Sequence, residues 1–292
     1  MNPQPDVPPP GTARRALGDL GYVNGKNVIF EVRSSGNDAQ RLAEMADELV
    51  RLKVDVIVAG LNQAAFAARR ATSTIPIVVM GAHAAVEIGL VKSLARPGGN
   101  VTGVESLAPE LDAKRLELLR EILPRLGRVG LLHNPADPGA AAHLRSIAAA
   151  ARSLTPEAGV TPLEVRNAAD FEPLFETPAA RALDAVVLLT DPLTFVEGRR
   201  FAEIALAHRI PTACEFRFLA QWGCLIAYGP TPDEFAQRSA HQADLILKGA
   251  KPGDLPFEQV TRFELVVNLK TARALGIALP VSVLLRADAV IE

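Results

Sequence analysis

The sequence predicts an α/β protein made of two similar lobes, each a parallel sheet covered by helices. Two observations support this fold class. First, short apolar runs with the length and β-branched content of buried strands alternate with amphipathic helix patterns. Second, one order of elements occurs twice along the chain. Alternating strands and helices are typical of parallel sheets built from right-handed βαβ units.

The first copy of the repeat begins at Glu31-Val32-Arg33, which a helix pattern follows. It continues with the apolar run Val54-Asp55-Val56-Ile57-Val58, a second helix pattern and the run Ile75-Pro76-Ile77-Val78. Each run is predicted to be a strand. The first copy is therefore predicted to be a strand–helix–strand–helix–strand unit.

The second copy repeats these landmarks in the same order. It begins at Glu164-Val165-Arg166 and continues with Leu183-Asp184-Ala185-Val186-Val187-Leu188 and Ile210-Pro211-Thr212-Ala213. Two such units usually form two lobes that face a cleft, and a cleft of this kind suggests capture of a small molecule.

The apolar runs and helix patterns define the predicted elements between these landmarks. The predicted buried strands are Val54–Ala59, Ile75–Met80, Val129–His133 and Ala185–Leu189. The predicted helices are Thr12–Leu20, a helix capped by Asp38, Gln63–Ser73, Ala113–Leu123, Gly139–Leu154, Glu197–His208 and Phe235–Leu247. The apolar residues Leu42, Met45, Ala46, Leu49 and Val50, spaced by three and four, form one face of the Asp38 helix.

The repeat also predicts a strand that the printed sequence does not contain. In the second copy the strand Arg128–His133 precedes the landmark triplet, whereas Met1–Pro10 holds five prolines and no apolar run. In a flavodoxin-like order this strand is central. We therefore expect a gene start assigned too late or a truncated chain, with an upstream strand and an export signal in the native product.

Composition bounds the possible function classes. A chain of 292 residues can form two domains, and its net charge of −2 argues against a nucleic-acid surface. No apolar stretch approaches the roughly 18 residues of a membrane span. The two cysteines, Cys214 and Cys224, lack metal-ligand spacing. We interpret them as isolated buried thiols, and pairing in an oxidising compartment is the alternative.

Motifs for catalysis or cofactor binding are missing. The Gly-rich turn Gly98–Gly103 leads into a strand and no Lys-Ser/Thr pair follows it, so it is not a phosphate loop. Neither a dinucleotide fingerprint nor a nucleophile elbow occurs. The five histidines lack the spacing of a metal site. These absences favour a binding protein over an enzyme, with no cofactor, metal or catalytic residue.

Candidate ligand-binding residues are those at the predicted carboxyl ends of strands, where ligands bind in open α/β sheets. Helix N-termini gather there and can hold an anionic group. The candidates are Asn62, Gln63, Gly81, His83, Asn134, Asp137, Thr190, Asp191, Glu215 and Phe216. Each alone reads equally well as a cap or turn residue. The convergence of five such loops is the stronger signal.

Several segments, in a fixed order from about residue 16 to the end, resemble the tryptophan/tyrosine-type substrate-binding proteins of ABC transporters. They are Leu20–Val28, Ala71–Val78, Ser93–Gly103, Lys114–Leu119, Tyr228–Pro230 and Phe263–Ala272. The resemblance implies a type I periplasmic-binding-protein fold that closes around its ligand. The chain departs from that family at its start, where members carry an export or lipoprotein signal and an apolar first strand.

The resemblance implies the domain organisation, the partners and the location. The chain would cross between lobes near Val104, Tyr228 and Thr261–Phe263, giving an N-terminal lobe of residues 1–104 with 229–260 and a C-terminal lobe of 105–228 with 261–292. The partners would be a small-molecule ligand and a membrane permease, the chain would be a monomer, and its location would be periplasmic or lipid-anchored outside the cytoplasm.

An amino acid ligand would divide these candidates by charge. Asn62, Gln63 and Asn134 would bind its carboxylate, and Asp191 or Glu215 its ammonium. Phe195, Phe216 and Tyr228 would form apolar walls, although Phe195 and Phe216 are equally consistent with a core. His83 would contact a carboxylate or cover the rim, and would also suit a purely carboxylated aromatic ligand.

Three other function classes share this architecture. They are the effector domain of a transcriptional regulator, the sensor lobe of a signalling receptor and an α/β enzyme. The first lacks a helix-turn-helix segment here, and the second would normally be joined to a membrane span. A nucleophile or metal ligand in the cleft would favour the enzyme.

Overall fold

The computed structural model describes residues 11–35, 38–154 and 159–292. The chain forms two compact units. Unit 1 comprises the described residues of Met1–Leu107 together with Pro232–Thr261, and unit 2 comprises those of Ala108–Thr231 together with Arg262–Glu292. The chain thus passes from one unit to the other three times.

The described residues form eleven strands and twelve α-helices, which loops connect. The strands are β1 Ile57–Gly60, β2 Ile77–His83, β3 Val101–Ser106, β4 Arg128–His133, β5 Gly159–Glu164, β6 Ala185–Leu188, β7 Thr212–Cys214, β8 Ile226–Pro230, β9 Glu258–Gln259, β10 Phe263–Asn268 and β11 Ala289–Ile291. The helices are α1 Gly11–Asp19, α2 Ala39–Arg51, α3 Leu61–Ala71, α4 Ala108–Ile122, α5 Ala140–Leu154, α6 Phe171–Glu176, α7 Pro178–Arg181, α8 Pro192–Ala207, α9 Arg217–Gln221, α10 Pro232–Leu247, α11 Leu269–Leu275 and α12 Val281–Arg286.

The sheet of unit 1 is parallel, with the strand order β1-β2-β3-β9. Among the described residues, strand β1 lies at one edge and pairs with β2. The strand predicted at Glu31–Arg33 is wrong for this structure, because residues 29–35 join no sheet among the described residues. The physical reason is that no neighbouring strand offers these residues a ladder of hydrogen bonds.

The predicted cap of the second helix is confirmed. The Asp38 carboxylate accepts hydrogen bonds from the backbone N–H groups of Gln40 and Arg41, and α2 follows directly. Such a cap satisfies donors that have no partner within the helix and contributes about 1 kcal/mol. The apolar face of α2 then packs toward α3, with Leu49 against the core of unit 1.

The sheet of unit 2 has seven strands in the order β11-β10-β8-β7-β6-β4-β5. Strands β5, β4, β6, β7 and β8 are parallel, whereas β10 runs antiparallel to β8. Strand β6 is fully buried, as its continuous apolar sequence predicts. The short connections and parallel pairing confirm the predicted α/β class.

Gly103, the last residue of the Gly-rich turn Gly98–Gly103, lies very close to the backbone of β2. Its φ is +156°, and a Cβ at this position would lie 2.3 Å from the carbonyl oxygen of Val79 on β2. Only glycine permits this approach of β3 to β2. The turn leads into β3, as predicted, and its glycine serves strand packing.

A buried ionic network joins two helices of unit 2. Arg115 on α4 donates through Nη1 to Asp112 Oδ1 at 2.6 Å, and Asp112 Oδ2 lies 2.5 Å from His143 Nδ1 on α5. All three side chains are buried. Arg115 Nε also donates to the backbone carbonyl of Tyr228 at 2.9 Å, so the network fixes β8 against α4.

The two cysteines are buried free thiols. Burial is the main cause that raises the pKa of the Cys214 thiol well above its usual value. The interpretation of both residues as buried thiols is confirmed, but they are not isolated, because a hydrogen bond between the two thiols also raises the pKa of Cys214. Within the described part of the chain, no helix has the length and apolar character needed to cross a membrane.

Candidate ligand site

The candidate residues of unit 1 lie where β1 and β2 end. The Asn62 side chain, at the start of α3, donates to the His83 carbonyl at 3.2 Å and accepts from the His83 N–H at 3.1 Å. This pair of bonds reproduces the hydrogen bonding of a strand neighbour. It fixes the end of β2 against α3, and both residues are buried.

The backbone at this end of unit 1 has positive φ values at three residues, two of which are not glycine. Leu61 and Ala84 have φ values of +63° and +51°, and Gly81 has +84° beside a bulge in the β2–β3 pairing. Non-glycine residues with such angles are uncommon and collect at binding sites. Leu61 also packs near Gly81, where a Cβ would lie 3.5 Å from its Cδ2.

Glu105, near the end of β3, fixes the loop that follows β2. Its Oε1 accepts a hydrogen bond from the Ala85 N–H at 2.6 Å, and its Oε2 accepts from the Gln259 side chain at 3.3 Å. The carboxylate thereby stabilises the unusual backbone at Ala84. This residue was missed from sequence, because a Glu that ends an apolar strand reads as an exposed terminus.

The N-terminus of α3 is open to an anionic group. The N-cap residue is Gly60, and no side chain caps the first turn. A helix of 11 residues carries partial positive charge at this end, and its first N–H groups have no partner within the helix. Gln63 lies in the same turn, and its buried Nε2 forms no hydrogen bond among the described residues.

The candidate residues of unit 2 follow β4, β6 and β7, which are neighbours in the sheet. Because these strands are parallel, their carboxyl ends meet at one edge. Asn134, Asp137, Thr190, Asp191, Glu215 and Phe216 lie there, and all six are buried. The structure therefore brings three carboxylic acids to one end of unit 2.

Asp191 caps α8 and keeps one oxygen available. Its Oδ1 accepts from the Thr194 N–H at 2.8 Å and from the Thr194 hydroxyl at 2.9 Å. By the geometric criterion, neither its buried Oδ2 nor the Thr190 hydroxyl forms a hydrogen bond among the described residues. Burial is the largest effect on this carboxyl group and raises its pKa to about 6. A cationic group would both occupy Oδ2 and reverse that shift.

Asn134 and His133 lie together at the carboxyl end of β4. Asn134 contributes hydrogen bonds there, whereas His133 contributes a neutral ring. Asn134 Oδ1 accepts from the Ala136 N–H at 3.0 Å in a local turn, and the Asn134 amide also favours the ionised form of Asp191. Burial lowers the pKa of His133 and outweighs the opposing effects of nearby carboxylates. A neutral His133 thus lies at the carboxyl end of β4, a position that was not selected from sequence.

Glu215 is held close to β8. A Cβ at Gly229 would lie 2.7 Å from Glu215 Cγ and 2.5 Å from the Glu215 carbonyl oxygen. The missing side chain of Gly229 therefore provides the space that the Glu215 side chain and backbone occupy. Tyr228 precedes Gly229 and is half-buried, with its ring 6.2 Å from that of Phe263.

The phenylalanines of the candidate set lie in an aromatic cluster. The Phe216 ring stacks on Phe218 at 5.5 Å and meets Phe195 edge-on at 5.8 Å, and Trp222 contacts Phe218 at 5.0 Å. Such pairs stabilise a core by about 1 kcal/mol beyond their burial. Phe218 and Trp222 were missed because helix α9 is too short to show a periodic pattern.

The site residues therefore divide between the two units. Asn62, Gln63, Gly81 and His83 belong to unit 1, and the other seven candidates belong to unit 2. Within the described ranges, no group of three or more His, Cys, Asp or Glu side chains is arranged to hold a metal ion.

Two α/β units with parallel-dominated sheets and three chain crossings define the type I periplasmic-binding-protein fold. Residues 11–291 match the family model described as ABC transporter substrate binding protein. The chain belongs to this family.

Related proteins support the same assignment. A tyrosine-binding protein of Clostridioides difficile strain R20291 is 27% identical over 261 residues, which cover 89% of this chain and 74% of the relative. A conserved domain protein from Vibrio cholerae is 26% identical with a TM-score of 0.89, covering 96% of this chain and 94% of that one. An ABC domain from Streptococcus pneumonia in complex with L-Trp, 24% identical, has a TM-score of 0.87 and covers 96% of this chain and 94% of that one.

Proposed function

We propose that this chain binds a small-molecule ligand that is an amino acid, and we favour one with an aromatic side chain. The chain would deliver this ligand to an ABC permease from outside the cytoplasm. The observation that carries the proposal is a contrast of charge between the candidate residues of the two units. Unit 1 offers an uncapped helix N-terminus, whereas unit 2 offers buried carboxylic acids. An amino acid carries one charge of each sign and is complementary to both.

The unit 1 residues supply the donors for a carboxylate. The first-turn N–H groups of α3 have no partner within the helix, and the Gln63 amide adds a buried donor that has no other partner among the described residues. Helix N-termini bind anions through these groups and through the helix dipole. The Asn62 side chain is engaged with the His83 backbone, so its role is to hold the two loops in place.

The unit 2 residues supply the acceptors for an ammonium. Asp191 Oδ2 is buried and forms no hydrogen bond within the described part of the chain, and Glu215 lies at the end of the neighbouring strand. A buried carboxylate attracts a cation strongly because little water screens it. Asn134 supports the ionised Asp191, which favours a role for Asn134 at the ammonium end, whereas the sequence suggested the anionic end.

We propose that ligand capture uses residues of both units. A ligand that contacts residues of both units binds the closed conformation better than the open one and shifts the population toward it. The closed form then docks on the permease. At a hundredfold excess over Kd, such a ligand stabilises the folded chain by about 2.7 kcal/mol. The tyrosine-binding relative and the L-Trp complex favour an aromatic amino acid.

Calorimetric titration with a matched set of compounds tests the proposal. The set is L-tyrosine, L-tryptophan, tyramine without the carboxylate, and 3-(4-hydroxyphenyl)propionate without the ammonium. We expect binding of an amino acid and at least about tenfold weaker binding of both truncated analogues, since each leaves one buried group unpaired. Equal binding of the propionate would support an aromatic acid as the ligand. Absence of binding by every compound would contradict the proposal.

Two substitutions of aspartate separate binding from folding. Asp191→Asn removes the charge at the carboxyl end of β6 but keeps an oxygen that can cap α8, so amino acid affinity should fall by about tenfold or more. Asp184→Asn is the matched control, since Asp184 accepts hydrogen bonds from the Gly127 and Arg128 N–H groups at the opposite end of β6. The control should lower stability and leave affinity unchanged.

A further inference from the structure

The buried ionic network of unit 2 lies at the same end of the unit as the candidate ligand residues. Strand β4 ends at His133 and α5 begins at Ala140, so His143, in the first turn of α5, lies near the carboxyl end of β4. His143 Nδ1 is 2.5 Å from Asp112 Oδ2, and Asp112 Oδ1 is 2.6 Å from Arg115 Nη1. The whole network therefore lies beside the edge of the sheet where ligands bind in α/β folds.

Arg115 connects this network to the backbone of β8. The pairing of β7 with β8 ends with Cys214 opposite Ala227. The next carbonyl group along β8 belongs to Tyr228, and it accepts a hydrogen bond from Arg115 Nε at 2.9 Å. A side chain from α4 thus supports β8 just beyond the last residues that β7 pairs.

The supported part of β8 is in contact with a candidate ligand residue. The N–H of Gly229 belongs to the same peptide unit as the Tyr228 carbonyl. A Cβ at Gly229 would lie 2.7 Å from Glu215 Cγ and 2.5 Å from the Glu215 carbonyl oxygen. Because packing is this close, a displacement of the peptide unit would also displace Glu215. The position of this carboxylate therefore depends on a peptide unit that Arg115 holds.

The Cys214 thiol gives a second indication that Arg115 and Glu215 lie near each other. Burial is the main cause that raises the pKa of this thiol, and its hydrogen bond with Cys224 adds to the effect. The charge of Glu215 also raises this pKa, whereas the charge of Arg115 lowers it. Such effects come from nearby charges. Both groups therefore lie close to the end of β7.

We propose that Arg115 is a positioning residue for the candidate ligand site of unit 2. It fixes the peptide unit between Tyr228 and Gly229, and that peptide unit fixes the Glu215 carboxylate where an ammonium group binds. The final step, contact with an ammonium, rests on the proposed function. Arg115 acts through the protein and not by contact with the ligand. A carboxylate that is fixed in advance avoids the cost of ordering when the ligand binds.

The planar guanidinium of Arg115 is suited to this role. Its donors form a rigid fork, so the bond to Asp112 directs Nε toward the Tyr228 carbonyl. The ammonium of a lysine is a single point charge on a flexible chain and does not reproduce both bonds. Arg115→Lys therefore keeps a cation beside Asp112, which preserves the fold, and removes the fixed contact with β8.

Hydrogen exchange of single amides in the ligand-free chain tests the first part of the proposal. Arg120→Lys is the matched control, because Arg120 lies on the same helix and donates to the Leu126 carbonyl at the same distance of 2.9 Å, at the other end of α4. We expect Arg115→Lys to speed exchange at Gly229 by about tenfold or more, with Leu225 unchanged. The control should leave exchange at Gly229 unchanged.

Calorimetric titration with L-tyrosine and 3-(4-hydroxyphenyl)propionate tests the second part. Arg115→Lys should weaken binding of the amino acid by about tenfold, since its ammonium needs a well-placed Glu215. Binding of the propionate, which has no ammonium, should change by less than about twofold. Lower stability alone would not change this ratio. Adding Arg115→Lys to Glu215→Gln should cause no further loss of amino acid affinity, because both changes act on the same contact.

Three results would overturn the proposal. They are unchanged exchange at Gly229 in Arg115→Lys, equal acceleration at Gly229 and Leu225, and affinity losses of Arg115→Lys and Glu215→Gln that add in the double variant. A different pattern would count against the proposed function alone. In that pattern no compound binds to the wild type, while Arg115→Lys still speeds exchange at Gly229 and the control does not.

Discussion

The Glu105 carboxylate accepts a hydrogen bond of 2.6 Å from the backbone N–H of Ala85. This contact ties the loop after β2 to β3, and the Gln259 side chain extends the tie to β9. Strands β3 and β9 lead to the chain crossings after Leu107 and Thr261. The Glu105 carboxylate thus connects a candidate ligand loop with β3 and β9, the two strands that precede the chain crossings out of unit 1.

Glu105→Gln should weaken ligand binding more than it weakens the fold. The amide keeps the size of the side chain but removes the charge from a buried acceptor, and bonds to charged groups contribute about 1.5–3 kcal/mol. Titration should show about a tenfold loss of affinity. Glu258→Gln is the matched control, because Glu258 lies on β9 and pairs with Arg238 instead. It should lower stability with affinity retained; equal affinity losses in both variants would contradict a specific role for Glu105.

Asp191 should make stability fall as pH rises. The pKa of its carboxyl group is about 6 in the folded chain, raised from an ordinary value of 3.8, with burial as the main cause. Between pH 4 and 6 the unfolded chain releases this proton and the folded chain keeps it. The resulting decrease in the free energy of unfolding grows through that window to at most roughly 3 kcal/mol and is constant above it.

Denaturant unfolding of wild type and Asp191→Asn at several pH values measures this cost. We expect the variant to gain stability relative to wild type from about pH 4 to pH 6. His133 has the opposite effect, since burial lowers its pKa and stability is lost as pH falls through 6.5. That effect cancels in the difference between the two proteins. A difference that does not change with pH would show that Asp191 is ionised throughout.

Arg115→Met should be strongly destabilising. It removes the cation from the buried network with Asp112 and His143 and leaves an uncompensated carboxylate, which costs about 3–5 kcal/mol. Chemical denaturation monitored in unit 2 gives this value. Arg199→Met serves as the control, because its pair with Glu203 is exposed and such pairs contribute about 0–1 kcal/mol. Similar losses in the two variants would refute a special role for burial.

Gly103→Ala should disrupt the unit 1 sheet. The added methyl group would lie 2.3 Å from the Val79 carbonyl oxygen, so β2 and β3 must separate. We expect a loss of more than about 3 kcal/mol, or failure to fold. Gly99→Ala, in the same turn, meets no atom within 4 Å and should be near neutral. Thermal unfolding of both variants decides this, and a Gly103→Ala protein as stable as wild type would contradict the close approach of the two strands.

Local signals in the sequence were sufficient for most of the fold. The cap at Asp38 and the apolar spacing of α2 are short-range features, and the structure contains both. Strands β2, β4 and β6 were recognisable because burial on both faces requires continuous apolar sequence. The residues at the strand ends of unit 2 followed from the topology, since parallel strands end at one edge.

Residues whose role depends on distant partners could not be found in this way. Glu31–Arg33 has the composition of a strand, but a strand needs a neighbour, and none lies beside it in the described part of the chain. The role of Glu105 depends on a loop 20 residues away, and Arg115 on a carbonyl 113 residues away. No periodic pattern encodes contacts of that separation.

The close approach of Gly229 to Glu215 has a consequence for how this family diverges. Any side chain at position 229 would collide with the backbone and Cγ of Glu215, so substitutions at the two positions are coupled. A relative with alanine at 229 would have to move the backbone at 215 as well as its side chain, which would displace that carboxylate from its candidate site. Glycine at 229 is therefore a marker, readable from sequence alone, for relatives that can keep an acidic group at this strand end.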